Sequence, residues 1–159
     1  MPMDAGTRLT LIPVERDTAG GPALMSVVMQ RICKENPAAD ADLLWAHFAS
    51  NSSSVRVWAI QTPEGDVTGH ILANISPDIQ GEAWCVWVNQ LVLDQSVPDE
   101  MTDAFMRDVS RWAKQTAPQC YTVCMSSKRK QDHPETWLRR FGFKQDTIIY
   151  SRPLQASSE

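Results

Sequence analysis

The residues able to do chemistry in this sequence are sulfur, imidazole, carboxylate and a few clustered cations, and their spacing limits what they can form. Cys33, Cys85, Cys120 and Cys124 show neither C-x-x-C spacing nor histidines at ligand distance. They predict buried thiols in a reducing compartment, neither a disulfide framework nor a metal set. His47 falls on a helix stripe, His70 in a strand and His133 at a helix start, so no metal site is expected. Lys128, Arg129 and Lys130, with Arg139 and Arg140, gather positive charge in an acidic chain. Such a cluster is either a solvated basic turn or a seat for an anion.

The elements that must position these groups alternate in type. Residues 7–14 form an expected strand. Leu24, Val27, Val28, Arg31 and Ile32 recur at helical spacing until Asn36-Pro37 stops the helix. Asp40 can cap a second helix whose apolar side carries Leu43, Leu44, His47 and Phe48. Val55–Gln61 and Val67–Ile75, joined through Thr62 to Asp66, read as a hairpin, and residues 83–93 as a long apolar strand. Ser96 stands where an N-cap would, with Pro98 in the first turn, ahead of a stripe of Met101, Phe105, Val109, Trp112 and Ala113. Residues 120–126 read as a strand. Asp132 begins a short helix ending at Gly142-Phe143, where glycine suits a left-handed residue after the last turn. Thr147–Arg152 is a final strand.

With 159 residues, residues 1–159 are expected to form one domain, frayed from about residue 155. A net charge of −4 argues against nucleic-acid binding, which needs a basic face. No apolar run approaches the roughly 20 residues that span a bilayer, and no charged-then-apolar leader is seen. The expectation is a cytoplasmic protein without membrane or nucleic-acid partners.

The order β-α-α-β-β-β-α-β-α-β, together with three local patterns, resembles the GNAT superfamily of N-acetyltransferases over nearly the whole chain. Gly65-Asp66-Val67-Thr68-Gly69-His70-Ile71 is similar to that family's second hairpin. Asn89-Gln90-Leu91-Val92-Leu93 before a long helix is similar to its fourth strand and third helix. Trp137-Leu138-Arg139-Arg140-Phe141-Gly142-Phe143 is similar to its terminal helix and Gly-Phe. The resemblance implies an α/β (α+β) fold, a central mixed, mostly antiparallel sheet with helices on both faces. It implies acetyl-CoA or another acyl-CoA as cofactor and direct acyl transfer to an amine in a ternary complex. The fourth and fifth strands would splay, and the pantetheine arm would hydrogen-bond to backbone groups of Leu91, Val92 and Leu93. Without the resemblance, that strand reads as an ordinary core strand.

The sequence also departs from the family pattern. The glycine-rich phosphate loop is replaced by Asp94 to Thr102, which has no Gly or Arg and carries Asp99 and Glu100 where a diphosphate would sit. These carboxylates suit the helix dipole but repel an anion, so weak CoA binding is expected. Lys128, Arg129 and Lys130 are the candidates to supply the missing phosphate contacts. Leu138 stands where many relatives keep a catalytic Tyr, leaving Ser126, Ser127 and Tyr121 as candidate proton donors, each otherwise a structural or solvated side chain. Asn89 and Gln90 occupy positions where some relatives hold a base, and neither amide is one. Asp78 and Glu82 are the other carboxylate candidates.

Two functions stay open. One is an acyl-CoA-dependent N-acyltransferase acting on an amine. The other is a protein of the same shape that no longer catalyses and modulates a partner protein. Six tryptophans, Trp84 and Trp87 on opposite strand faces among them, bear on contact surfaces as well as on core packing. A homodimer is compatible with either.

Overall fold

The computed structural model describes residues 8–50, 52–77, 84–94, 97–125 and 142–143. The chain divides into two compact units, Met1–Ser126 and Ser127–Glu159. The first contains β1 (Thr10–Pro13), α1 (Gly21–Glu35), α2 (Ala41–Ala49), β2 (Val55–Gln61), β3 (Val67–Pro77), β4 (Trp84–Leu93), α3 (Asp99–Thr116) and β5 (Cys120–Met125), the expected order through eight elements.

The strands form one sheet in sequence order, antiparallel from β1 to β4 and parallel between β4 and β5. A parallel neighbour needs a crossover, and α3 supplies it. Helices cover both faces. Under α3, Trp58, Ile60, Ile71, Ala73, Val86 and Val88 meet Phe105, Val109 and Trp112. Trp58 packs edge-on against Phe105 and Trp112 at 5.2 and 5.5 Å, and its indole N–H donates to Asp108 Oδ2 at 2.6 Å. That bond satisfies the one polar atom of the largest fully buried side chain. Burying each large apolar residue contributes roughly 1.5–3 kcal/mol. On the opposite face Met25, Val28, Met29 and Ile32 of α1 pack on Val57, Ala59 and Leu72.

Local chemistry sets the boundaries. Asp40 caps α2 by accepting from the Leu43 backbone N–H at 3.0 Å. The hairpin closes through Thr62 N–H to the Asp66 carbonyl at 2.9 Å. Gly69 lies so close to β4 that a Cβ there would sit 3.0 Å from the Val92 carbonyl oxygen.

Three expectations need correction. The N-cap of α3 is Pro98, extended at ψ 161°, not Ser96, and no side chain caps the helix. Proline's fixed φ fits that half-helical position, and Met101 N–H donates to its carbonyl at 3.1 Å. Val27 and Leu43 are 44% and 55% exposed, off the faces they were assigned to. Helix rotation turns Met25 and Met29 inward on α1, and on α2 Trp45 joins the expected Leu44 and Phe48 against the core. The expected terminal helix, final strand and frayed tail lie outside the described residues.

In the second unit, Gly142 has φ 85°, the left-handed region expected of it, with open space where a Cβ would project. Strain alone therefore sets the cost of a side chain. Gly142→Ala is expected to lower stability by about 1 kcal/mol, read as a shift in urea midpoint at constant slope. An unchanged midpoint would show that the left-handed conformation is dispensable.

Candidate functional site

The feature that sets this sheet apart is a change of phase in β4. Ala73 pairs with Val88 and Leu72 with Gln90, so Asn89 is an extra residue, a bulge in β4. Before it, Val86 and Val88 face α3. After it, Leu91 and Leu93 do. Alternation then places Gln90 and Val92 on the α1 face. Without the bulge, Gln90 would share the face of Val86 and Val88.

The described residues of β5 end opposite Val88, one residue before the bulge. Trp84 to Val88 pair with Cys120 to Met125, so the two strands are joined at their start, and the expected splay beyond that point falls on residues outside those described. From Asn89 to Leu93, β4 pairs with β3 alone among the described residues. Leu91, Val92 and Leu93 fall on this stretch and are half-buried. A strand with one unpaired edge can take an extended, amide-bearing ligand as a further strand.

Beside the bulge, a cavity of about 170 Å³ opens between the α1–α2 corner and β4. Ile32, Leu43, Leu44 and Leu72 give it an apolar side, and Asn36, Asp40, Asn89 and Gln90 line the rest. Asp40 is the one carboxylate among these lining residues.

A polar network backs this wall. His70 on β3 is fully buried and stands opposite Val92, which makes Gln90 its diagonal neighbour. His70 Nε2 lies 2.5 Å from Gln90 Oε1, and Gln90 Nε2 donates to the Ile32 carbonyl at 3.4 Å. On the other side of the ring, Arg31 Nε donates to His70 Nδ1 at 3.2 Å. The same guanidinium donates to the Val67 carbonyl at 3.1 Å and to Asp94 Oδ1 at 2.8 Å. Because Arg31 only donates, Nδ1 accepts and Nε2 carries the hydrogen. Burial lowers the His70 pKa below its ordinary 6.5, opposed by the Gln90 bond and reinforced by the Arg31 charge.

Of the residues singled out from sequence, the structure places Leu91, Val92 and Leu93 on the stretch of β4 that pairs with β3 alone among the described residues, and Asn89 and Gln90 at the cavity. Tyr121 is the second residue of β5. Ser126, Ser127, Lys128, Arg129 and Lys130, with Asp78, Glu82, His133 and Leu138, lie outside the described residues. Asp99 and Glu100 occupy the first turn of α3, and Thr102 in that turn is buried with its hydroxyl unpartnered among the described residues. None of the four cysteines is in a disulfide, and burial raises the Cys120 pKa, which disfavours its thiolate. Among the described residues no metal-ligand cluster occurs and no helix is long and apolar enough to cross a membrane. Arg31, His70 and Asp40 were not anticipated as site residues; the only signal was a charged residue inside the apolar stripe of α1.

No protein-family model and no curated protein matches the chain. Solved structures do. AAC(6')-Iy in complex with a CoA bisubstrate analogue superimposes with a TM-score of 0.70 at 12% identity, over 94% of this chain and 100% of that one. The 6'-N-acetyltransferase AAC(6')-Ih from Acinetobacter baumannii gives the same values. An acetyltransferase of Trypanosoma brucei gives 0.65 at 16% identity, over 92% of this chain and all of that one. The fold is that of the GNAT acetyltransferases, a mixed sheet with helices on both faces.

The His70 shift has a consequence for stability. Unfolded, the imidazole takes up its proton near pH 6.5; folded, it does so only at lower pH. Between those two values the unfolded chain binds more protons, so stability is full above about pH 6.5 and declines as pH falls below it. Urea unfolding at pH 7.5 and 5.5 should show this loss in the wild type, and a smaller one in His70→Gln. Equal pH dependence in both proteins would assign the loss to other groups.

Proposed function

We propose that this chain is an acyl-CoA-dependent N-acyltransferase that takes the pantetheine arm along the edge of β4 beyond Val88 and its amine acceptor in the cavity beside Asn89 and Gln90. The observation that carries the reading is the bulge, because one extra residue turns Gln90 into the cavity wall at the point beyond which β4 pairs with β3 alone among the described residues. Neighbouring proteins of this fold are described with CoA and with an aminoglycoside-derived analogue, which supports the reaction class.

The residues fit the cofactor unequally. Backbone N–H and C=O groups of Leu91, Val92 and Leu93 suit a chain of amides, and the Thr102 hydroxyl, unpartnered among the described residues, adds a polar group at the start of α3. The diphosphate end fits less well, because Asp99 and Glu100 already place negative charge on the helix N-terminus. When bound, acyl-CoA supplies an activated thioester. The protein's part is then positioning. The β4 edge orients the arm, the apolar side of the cavity holds the acceptor's body, and Asp40 attracts a cationic amine. Gln90 and Asn89 offer hydrogen bonds without removing a proton, so the ammonium loses its proton to solvent through the open cavity. Tyr121, Ser126 and Ser127 stay proposals for proton donation to the departing thiolate, and Lys128, Arg129 and Lys130 for phosphate contacts.

One observation favours a second reading, a non-catalytic binding protein of this shape: the acidic first turn of α3. Calorimetric titration with acetyl-CoA separates the two. The expected Kd is tens of micromolar or above, about −6 kcal/mol or less favourable. Asp99→Asn with Glu100→Gln should tighten it, and alanine at Lys128, Arg129 and Lys130 together should abolish it. Affinity should fall steeply with salt. No binding at millimolar acetyl-CoA would sink the enzyme reading in favour of the second.

A further inference from the structure

We propose that His70 is a positioning residue that fixes the Gln90 amide in the wall of the acceptor cavity, and that a proton on His70 breaks the chain of bonds that runs from Arg31 to Gln90. The inference rests on the reading above for the identity of the cavity, and the network can be tested without it.

The argument is one of donors and acceptors. Gln90 has two orientations of nearly equal shape, with the carbonyl or the NH2 turned toward His70. Only one is compatible with the neighbours. Arg31 Nε–H occupies Nδ1, so Nε2 must donate, so the group facing it at 2.5 Å must be Oε1. The NH2 then turns toward the Ile32 carbonyl at 3.4 Å, an acceptor in the last turn of α1. The orientation of a cavity-lining amide is thus dictated from a helix on the far side of a buried imidazole.

Protonation breaks the chain at one bond. With a hydrogen on Nδ1, the ring and Arg31 Nε present two donors to each other, and both carry positive charge. Either the guanidinium withdraws or the ring turns. Withdrawal loosens the contacts of Arg31 to Val67 and Asp94, and ring rotation loosens Gln90. The charged groups that face His70 are Arg31 and Glu35 from α1 and Asp94 from the end of β4; β4 itself offers the neutral Gln90. The two carboxylates favour the proton. Arg31 and burial oppose it, and Asp94 is already paired with Arg31.

The test is nitrogen NMR of the full chain without CoA. At pH 7.5 long-range correlations of the His70 ring should show Nε2 protonated and Nδ1 bare. As pH falls toward 5, the Gln90 side-chain NH2 pair and the Arg31 Nε–H should shift with the same midpoint as the ring. In His70→Gln, whose amide N–H can stand in for Nε2–H, the Gln90 pair should stay close to its wild-type position and lose that pH dependence. An Nδ1–H tautomer or an imidazolium at pH 7.5 would overturn the proposal. So would Gln90 resonances indifferent to the His70 midpoint, or no His70 titration before acid unfolding. Should His70→Gln fail to fold, the wild-type titration decides alone. Because none of these readouts involves CoA, absence of CoA binding counts only against the enzyme reading.

Discussion

Arg31 is the constraint on which the site depends. Its guanidinium reaches from α1 to three acceptors, the Val67 carbonyl at the start of β3, His70 within β3, and Asp94 just after β4. Each bond uses a different nitrogen, and the planar fork holds all three acceptors in a fixed relation. A lysine has one nitrogen on a flexible stem and could satisfy only part of the set. The side chain is 23% exposed, so the charge is not fully desolvated, and its carboxylate partner is more open at 47%. The ion pair itself is therefore worth little as stability. Its value is geometric, since it seats the C-terminal half of α1 over the point where β3 and β4 carry the polar pair.

That pair exists because of the bulge. A regular β4 would turn Gln90 toward α3, into a core of Ile71, Val86 and Phe105, where an amide would find no partner. One inserted residue turns it toward His70 and, in the same step, brings Leu91 and Leu93 back to the apolar side. The bulge thus keeps both faces of the strand chemically consistent while changing the direction of the strand beyond it. Pairing with β5 is recorded only up to this residue. The polar wall of the cavity is a consequence of one extra residue at Asn89.

Much of the fold was legible because local signals agree with tertiary structure. The hairpin turn, the Asp40 cap, the stop at Asn36-Pro37 and the α3 stripe all depend on residues within a few positions of one another. The errors came where rotation or register decides. Val27 and Leu43 are apolar and correctly spaced, yet rotation of the helices brings Met25, Met29 and Trp45 inward instead. The candidate site was less legible. Leu91 to Leu93 could be placed by resemblance, but a period-2 reading of 83–93 cannot show a bulge, so the face of Gln90 was not accessible. His70 looked like an ordinary strand residue because its partners are 39 positions before it and 20 after it. Such a network has no signature along the chain.

The charges around α3 follow from the same arrangement. The N-terminus of α3 carries Asp99 and Glu100 in its first turn, with Asp94 only a few residues ahead. Three carboxylates would oppose any anion approaching that end. Arg31 changes the sum, because it holds Asp94 through a 2.8 Å contact directed back toward α1. Of the acidic groups near the helix start, Asp94 is thereby offset, while Asp99 and Glu100 stand in the first turn of α3, where carboxylates favour the helix dipole. The guanidinium that sets the orientation of Gln90 at the cavity also reduces the negative potential at the start of α3. Loss of its contact to His70 would weaken its hold on Asp94 as well, because both bonds are made by one rigid plane. The acceptor wall and the anion end of the proposed site are joined through Arg31, and a change at either is felt first by that side chain.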